Sequence, residues 1–89
     1  MFHFVYILES SSGNHLYIGY YPGNVEERLA KHNRGEVLST KAYRPWNLIF
    51  FEGYLNKNDA FRREKYLKTN QGARMLKLML KEYRETKKK

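Results

Sequence analysis

The stretch Leu16–His32, LYIGYYPGNVEERLAKH, decides the fold. Its first part is rich in aromatic and β-branched residues and predicts a strand from about His15 to Tyr21. Pro22 and Gly23 end that strand, and Asn24 is placed to cap a helix whose first turn holds Glu26 and Glu27, where acidic groups suit the helix dipole. The helix is expected to run to about Asn33 and to stop at Gly35. Val25, Leu29 and His32 form its inward stripe, with Arg28 at the edge. The i, i+4 spacing sends the Arg28 guanidinium and the His32 imidazole to the same side, next to the core.

Working outward toward the N-terminus, Phe2–Glu9 (FHFVYILE) is apolar on both strand faces. Phe2, Phe4, Tyr6 and Leu8 share one face and Val5 and Ile7 the other, the pattern of a central strand. The cluster SSSGN over residues 10–14 is a turn in which Gly13 or Asn14 can supply a positive φ. A hairpin symmetric about that turn pairs residues whose numbers sum to about 23 and sets Tyr6 directly across from Tyr17, with Cβ atoms about 5 Å apart. A slip of a single residue would send the two tyrosines to opposite faces.

Toward the C-terminus, residues 36–47 read as a polar, irregular connection carrying Ser39, Thr40, Lys41, Tyr43 and Arg44, a composition suited equally to contacts with a nucleic-acid backbone and to a solvated surface loop. Leu48–Leu55 (LIFFEGYL) is a third strand, apolar on both faces and therefore central or covered by helices. A helix capped by Asn58 or Asp59 follows over about Lys57–Thr69, with Ala60, Phe61, Glu64, Leu67 and Lys68 on one face. Glu64 is the odd member. Between Phe61 and Leu67 its carboxylate either lines a cleft or needs an ion-pair partner such as Arg28 or Arg62, because an unpaired buried charge is costly. After a break at residues 70–72, a last helix is expected from Ala73 to about Arg84, with Leu76, Met79, Leu80 and Tyr83 inward. Residues 86–89 read as a frayed basic tail.

The bounds set by composition agree with one small domain, residues 1–85. Eighty-nine residues support a single core, built here largely from eight tyrosines and five phenylalanines. Seventeen Lys and Arg against nine Asp and Glu leave a formal net charge of +8, which makes a polyanion the natural partner. Cysteine is absent, so disulfides and thiolate metal sites are excluded. No apolar run suits a membrane span, no secretory signal is recognisable and a cytoplasmic protein is expected. The glycines are too far apart for a phosphate-binding loop, and His3, His15 and His32 lack metal-ligand spacing, so neither a nucleotide cofactor nor a zinc site is expected.

Tyr6 in FVYIL, then Tyr17-Ile18-Gly19, Arg28 and His32 on the first helix, and Glu64 in AFRREKYLK together resemble the GIY-YIG nuclease superfamily, most closely its small stand-alone bacterial members. The glycine and isoleucine of the first motif are replaced by Phe4 and Val5, while its tyrosine is kept. The resemblance implies an α/β (α+β) fold, a three-stranded antiparallel sheet flanked by about three helices. It further implies a catalytic set of Tyr6, Tyr17, Arg28, His32 and Glu64, with Glu64 holding one Mg²⁺ or Mn²⁺ ion and Asn70 as a doubtful addition. Tyr6 is implied as the base toward water, His32 as acceptor of the phenolic proton, Arg28 as phosphate ligand and Tyr17 as an orienting group. Lys31, Arg34, Lys41, Arg44, Arg63 and Lys68 are the candidate nucleic-acid contacts. The implied activity is metal-dependent cleavage of double-stranded or structured DNA with low sequence preference, in repair or recombination. The alternatives are a non-catalytic basic nucleic-acid-binding module, or a nuclease subunit that takes its specificity from a protein partner.

Overall fold

The computed structural model describes residues 1–87. Strands β1 (His3–Ser10) and β2 (Leu16–Tyr21) are followed by helix α1 (Val25–Asn33), a 3₁₀ helix over Leu38–Tyr43, strand β3 (Trp46–Tyr54) and helices α2 (Lys57–Leu67), α3 (Asn70–Met79) and α4 (Lys81–Lys87). The strands make one antiparallel sheet in the order β2-β1-β3. β1 is central, as its two apolar faces imply, and Val5, Tyr6, Ile7 and Leu8 are all completely buried.

The alternation along β1 divides the core in two. Val5 and Ile7 pack with Ala60, Leu67 and Leu76 under α2 and α3, whereas Tyr6 and Leu8 pack with Val25 and Trp46 on the side of α1. Burying an aliphatic side chain of this kind contributes about 1.5–3 kcal/mol, so both layers draw on the same strand. Asn24 caps α1 as expected, accepting from the Glu27 N–H at 3.1 Å. Gly35, at φ +80, turns the chain away while its N–H and that of Glu36 close on the carbonyls of His32 and Lys31.

Several expectations are corrected. The hairpin register is Tyr6 opposite Gly19 and Leu8 opposite Tyr17, so paired numbers sum to 25. Ser10 N–H bonds to the His15 carbonyl and Gly13 carries the positive φ, which makes the turn longer than a tight symmetric one. The displacement is an even number of residues, and Tyr6 and Tyr17 therefore remain on the same face as diagonal neighbours. β3 is an edge strand. Its apolar residues are partly covered by helices, with a register shift opposite Ile7/Leu8, and Phe51 is left exposed. The cap of α2 is Asn56, whose side chain accepts from the Asn58 N–H. The expected last helix begins earlier, with Thr69 as its N-cap, and is broken at Leu80. The break lets Leu76 and Met79 pack toward α2 while Tyr83 and Lys87 of α4 both reach Glu9 on β1, at 2.5 and 2.6 Å. Thr86 and Lys87, expected to fray, are helical; Lys88 and Lys89 of the expected tail lie outside the described residues.

Candidate active site

The α1 face of the sheet gathers Tyr6, Tyr17, Arg28 and His32. Tyr6 extends from the middle of β1 across β2, and Gly19 is what admits it. A Cβ at position 19 would lie 2.5 Å from the Tyr6 hydroxyl and 2.8 Å from the Tyr17 ring, so the glycine of the Tyr17-Ile18-Gly19 motif clears the space that the phenol occupies. The Tyr6 hydroxyl stands 2.8 Å from His32 Nε2, and Arg28 Nε donates to it at 3.4 Å. Tyr17 leans on the same imidazole, ring centroids 5.0 Å apart, and lies 6.1 Å from the Tyr6 ring. Arg28 also stacks over Tyr21 at 5.2 Å, with Lys31 over that ring at 6.0 Å, so Tyr21 aligns two cations beside the phenol.

The other side of His32 is held by a residue that the sequence placed in a polar, irregular connection. Thr40, fully buried in the 3₁₀ helix, places its hydroxyl 2.8 Å from His32 Nδ1 and 3.3 Å from the Val37 carbonyl. One tautomer gives every donor in this chain an acceptor: Tyr6 donates to Nε2, Nδ1–H donates to Thr40, and Thr40 donates to Val37. The 3₁₀ helix is fixed in turn by Trp46, whose indole N–H donates to the Thr40 carbonyl at 2.8 Å. Asn33, on α1, clasps the Trp46 backbone through both its carbonyl (2.7 Å) and its amide (3.0 Å). Thr40, Trp46 and Asn33 are thus support residues that sequence reasoning missed. The only signal was compositional: a tryptophan and a threonine inside an otherwise charged connection.

Burial raises the Tyr6 pKa to about 12, overriding the lowering by its Arg28 hydrogen bond. The Arg28 guanidinium therefore does not make this phenol more acidic in the resting protein: desolvation outweighs it. His32 moves the other way, its pKa lowered to about 4 by burial and then by the Arg28 charge. The resting pair is a neutral phenol donating to a neutral imidazole. That arrangement holds a proton acceptor ready behind the tyrosine, and it does not store a phenolate.

Glu64 is placed differently. α2 lies against the opposite face of the sheet, and Glu64 pairs with Lys68 at 3.3 Å, not with Arg28 or Arg62. Arg62 instead pairs with Asp59. Phe61, one turn before Glu64, sets its ring 4.6 Å from Tyr20 and so positions this part of α2 over β2. The tyrosine-histidine cluster and the carboxylate therefore approach edge strand β2 from opposite faces. Among the described residues no group of three metal-ligating side chains occurs. Glu64 is nevertheless a chemically suitable single donor: its side chain is 23% exposed, and the hydrogen bond to Lys68 uses one of its two oxygens. One carboxylate is enough for a hydrated Mg²⁺ that completes its shell from a phosphate.

The candidate nucleic-acid contacts divide by surroundings. Lys31 is beside the tyrosine cluster through Tyr21. Lys41 is exposed on the 3₁₀ helix, and Arg44 packs against Gly35 while donating to the Lys41 carbonyl. Arg34 is paired with Glu36. Arg63 is tied to Glu52 at 2.6 Å and stacks on Tyr66. It belongs to the α2–β3 side, away from the cluster, and its charge is compensated there. Asn70 is the exposed first residue of α3, not a neighbour of Tyr6.

Comparison with known proteins agrees with this architecture. The GIY-YIG catalytic domain model matches residues 2–77. UPF0213 proteins of Staphylococcus aureus strains Mu3 and N315 are each 42% identical over 78 residues, spanning 86% of this chain and 93% of theirs. The solution NMR structure of UPF0213 protein BH0048 from Bacillus halodurans superposes with a TM-score of 0.53 at 30% identity, over 89% of this chain and 85% of that one. The names of these relatives state no activity, whereas the matched domain is that of a nuclease superfamily whose members act on DNA and typically require a divalent metal. With its three-stranded sheet, its neighbouring tyrosines and a family match across most of its length, the chain belongs to the GIY-YIG family.

Proposed function

We propose that this protein is an endonuclease that hydrolyses DNA phosphodiester bonds with little intrinsic sequence preference, residues 1–85 forming the nuclease domain and Tyr6, Tyr17, Arg28, His32 and Glu64 its working groups. The observation that carries this reading is the chain Arg28–Tyr6–His32–Thr40, a directed hydrogen-bond path on a phenol that packing alone would not need.

The chemistry follows from that path. Arg28 spends its Nε on Tyr6 and keeps its terminal nitrogens for a non-bridging phosphate oxygen, where a guanidinium offsets developing charge. Tyr6 takes a proton from the attacking water as it passes its own to His32 Nε2. The water becomes the hydroxide that adds to phosphorus, the P–O bond to the leaving sugar oxygen breaks, and that oxygen takes its proton from solvent water. His32, held neutral at rest, ends the step as imidazolium, and Thr40 keeps its ring in the accepting tautomer. Tyr17 packs against His32 and bounds the space above Gly19. A divalent ion, Mg²⁺ or Mn²⁺, bound through Glu64 would supply Lewis-acid stabilisation of the phosphoryl and leaving oxygens. Affinity from Lys31, Lys41 and Arg44 is directed at phosphates, which accounts for weak sequence preference and a steep salt dependence.

The Glu64–Lys68 pair favours a second reading, a nucleic-acid-binding module without cleavage, because a carboxylate already matched by a lysine needs no metal. Plasmid and branched DNA incubated with Mg²⁺ or Mn²⁺ separates the two. Cleavage by the wild-type protein that is lost in both Tyr6→Phe and Glu64→Ala supports the nuclease. Tight binding with no cleavage under either metal establishes the module, and equal cleavage by all three proteins shows that the activity does not arise here.

A further inference from the structure

On the α2 side of β2, a groove of about 720 Å³ runs between the start of β2, the end of α2 and α3. Its floor is aliphatic, formed by Leu16, Ile18, Leu67 and Leu76. Leu16 is 55% exposed, an apolar side chain left uncovered on an edge strand. The rim is cationic. Lys68, Lys77 and Arg84 stand around it, and among the described residues neither the Lys77 nor the Arg84 side chain has an ion pair or hydrogen bond. The one carboxylate on the wall, Glu9, is already matched by Lys87 and the Tyr83 hydroxyl. Tyr17 borders the groove while its ring turns to His32 on the other face of the strand, so groove and tyrosine cluster meet across edge strand β2.

An apolar floor inside a ring of cations fits a flat heteroaromatic ring joined to phosphate. A base pair presents only its edges and cannot lay a ring face in a groove on a protein surface; an unpaired base can. Resting on the nuclease reading above, we propose that this groove seats one unpaired nucleotide flanking the phosphate held at Arg28 and Tyr6, with the base over Leu16, Ile18 and Leu76 and the phosphate at Lys77 and Arg84. The protein then selects DNA carrying unpaired residues, such as flaps, forks and single strands, over continuous duplex. Charge complementarity and continuity with the tyrosine cluster decide the occupant: an acidic peptide would use the rim but leave the floor bare.

The test is binding in EDTA, where no cleavage occurs, so its result does not depend on whether the protein is a nuclease. Fluorescence anisotropy is recorded with a labelled single-stranded oligothymidylate, with the same oligomer bearing abasic sites throughout its centre, and with a duplex of equal length. The expected result is that removal of the bases weakens binding about tenfold, and that Leu16→Asp weakens binding of the intact oligomer by a similar factor while changing duplex affinity less than about twofold. Lys77→Ala and Arg84→Ala together should lower affinity for the intact and abasic strands alike and reduce the salt slope by about 1.4. Circular dichroism confirms that each variant is folded; Leu16→Ser substitutes if the aspartate variant is not. Equal affinity for intact and abasic strands, or a Leu16 variant that loses duplex and single-strand binding equally, overturns the proposal. Cleavage that fails while these binding differences hold would sink the nuclease reading and leave the groove assignment standing.

Discussion

Replacing Thr40 with valine keeps the shape of a fully buried side chain and deletes the hydroxyl that accepts from His32 Nδ1. The imidazole N–H is then left in the interior without an acceptor, and the Val37 carbonyl loses a donor. An orphaned buried donor costs about 1–3 kcal/mol. For a domain of this size each kcal/mol lowers Tm by roughly 4–8 °C, so a fall on the order of 5–20 °C is expected by calorimetry. The second consequence is chemical. Without Thr40, the ring has no reason to keep its proton on Nδ1; a proton on Nε2 points at Tyr6 and blocks transfer from the phenol. Ring ¹⁵N shifts of His32 should therefore move from an Nδ1–H pattern toward Nε2–H, and cleavage should fall more than tenfold while DNA binding in EDTA stays within about twofold, each tenfold being about 1.4 kcal/mol of barrier. Thr40→Ser, which retains the hydroxyl, should restore tautomer and cleavage together. An unchanged Tm with an unchanged His32 spectrum in Thr40→Val would refute the relay.

Three further outcomes follow from the same geometry. Gly19→Ala places a methyl within 2.5 Å of the Tyr6 hydroxyl, so urea denaturation should show a loss of about 1–3 kcal/mol and cleavage should fail even though every polar group is retained. Glu64→Gln breaks only a partly exposed pair with Lys68, whose side chain is 55% exposed; it should change stability by less than about 1 kcal/mol yet abolish metal-dependent cleavage, and a normal rate would remove Glu64 from the site. His32, with its folded pKa near 4 against an ordinary 6.5, binds its proton more readily in the unfolded chain. Stability is therefore full above about pH 6.5 and declines as pH falls toward 4, and His32→Asn should flatten the denaturation profile in that window.

What the sequence made legible was whatever depends on local pattern. FHFVYILE reads as a central strand because both faces are apolar, and the asparagine, acidic turn and glycine around VEERLAKHN delimit α1 within the chain itself. Tyr6 and Tyr17 could be placed on one face because an even-numbered shift in register leaves strand faces unchanged. What could not be read depends on distant partners. Thr40 looks like any loop hydroxyl until Trp46 and Asn33 fold the 3₁₀ helix under His32. The break at Leu80 answers to Glu9 at the other end of the chain. Glu64 was expected to line a cleft or to pair with Arg28 or Arg62, and the cation it meets is Lys68, supplied by its own helix.

The edge position of β2 has a consequence for inhibition. Among the described residues no strand pairs with its outer side, and the tyrosine cluster lies on one face with α2, which carries Glu64, on the other. An extended peptide could add to the sheet there as a fourth strand, drawing affinity from main-chain hydrogen bonds. Such a strand would cover the border across which both halves of the site must reach, and would compete with DNA without imitating a phosphate. Peptides patterned on β1, the strand that β2 already pairs with, are the natural first sequences to try.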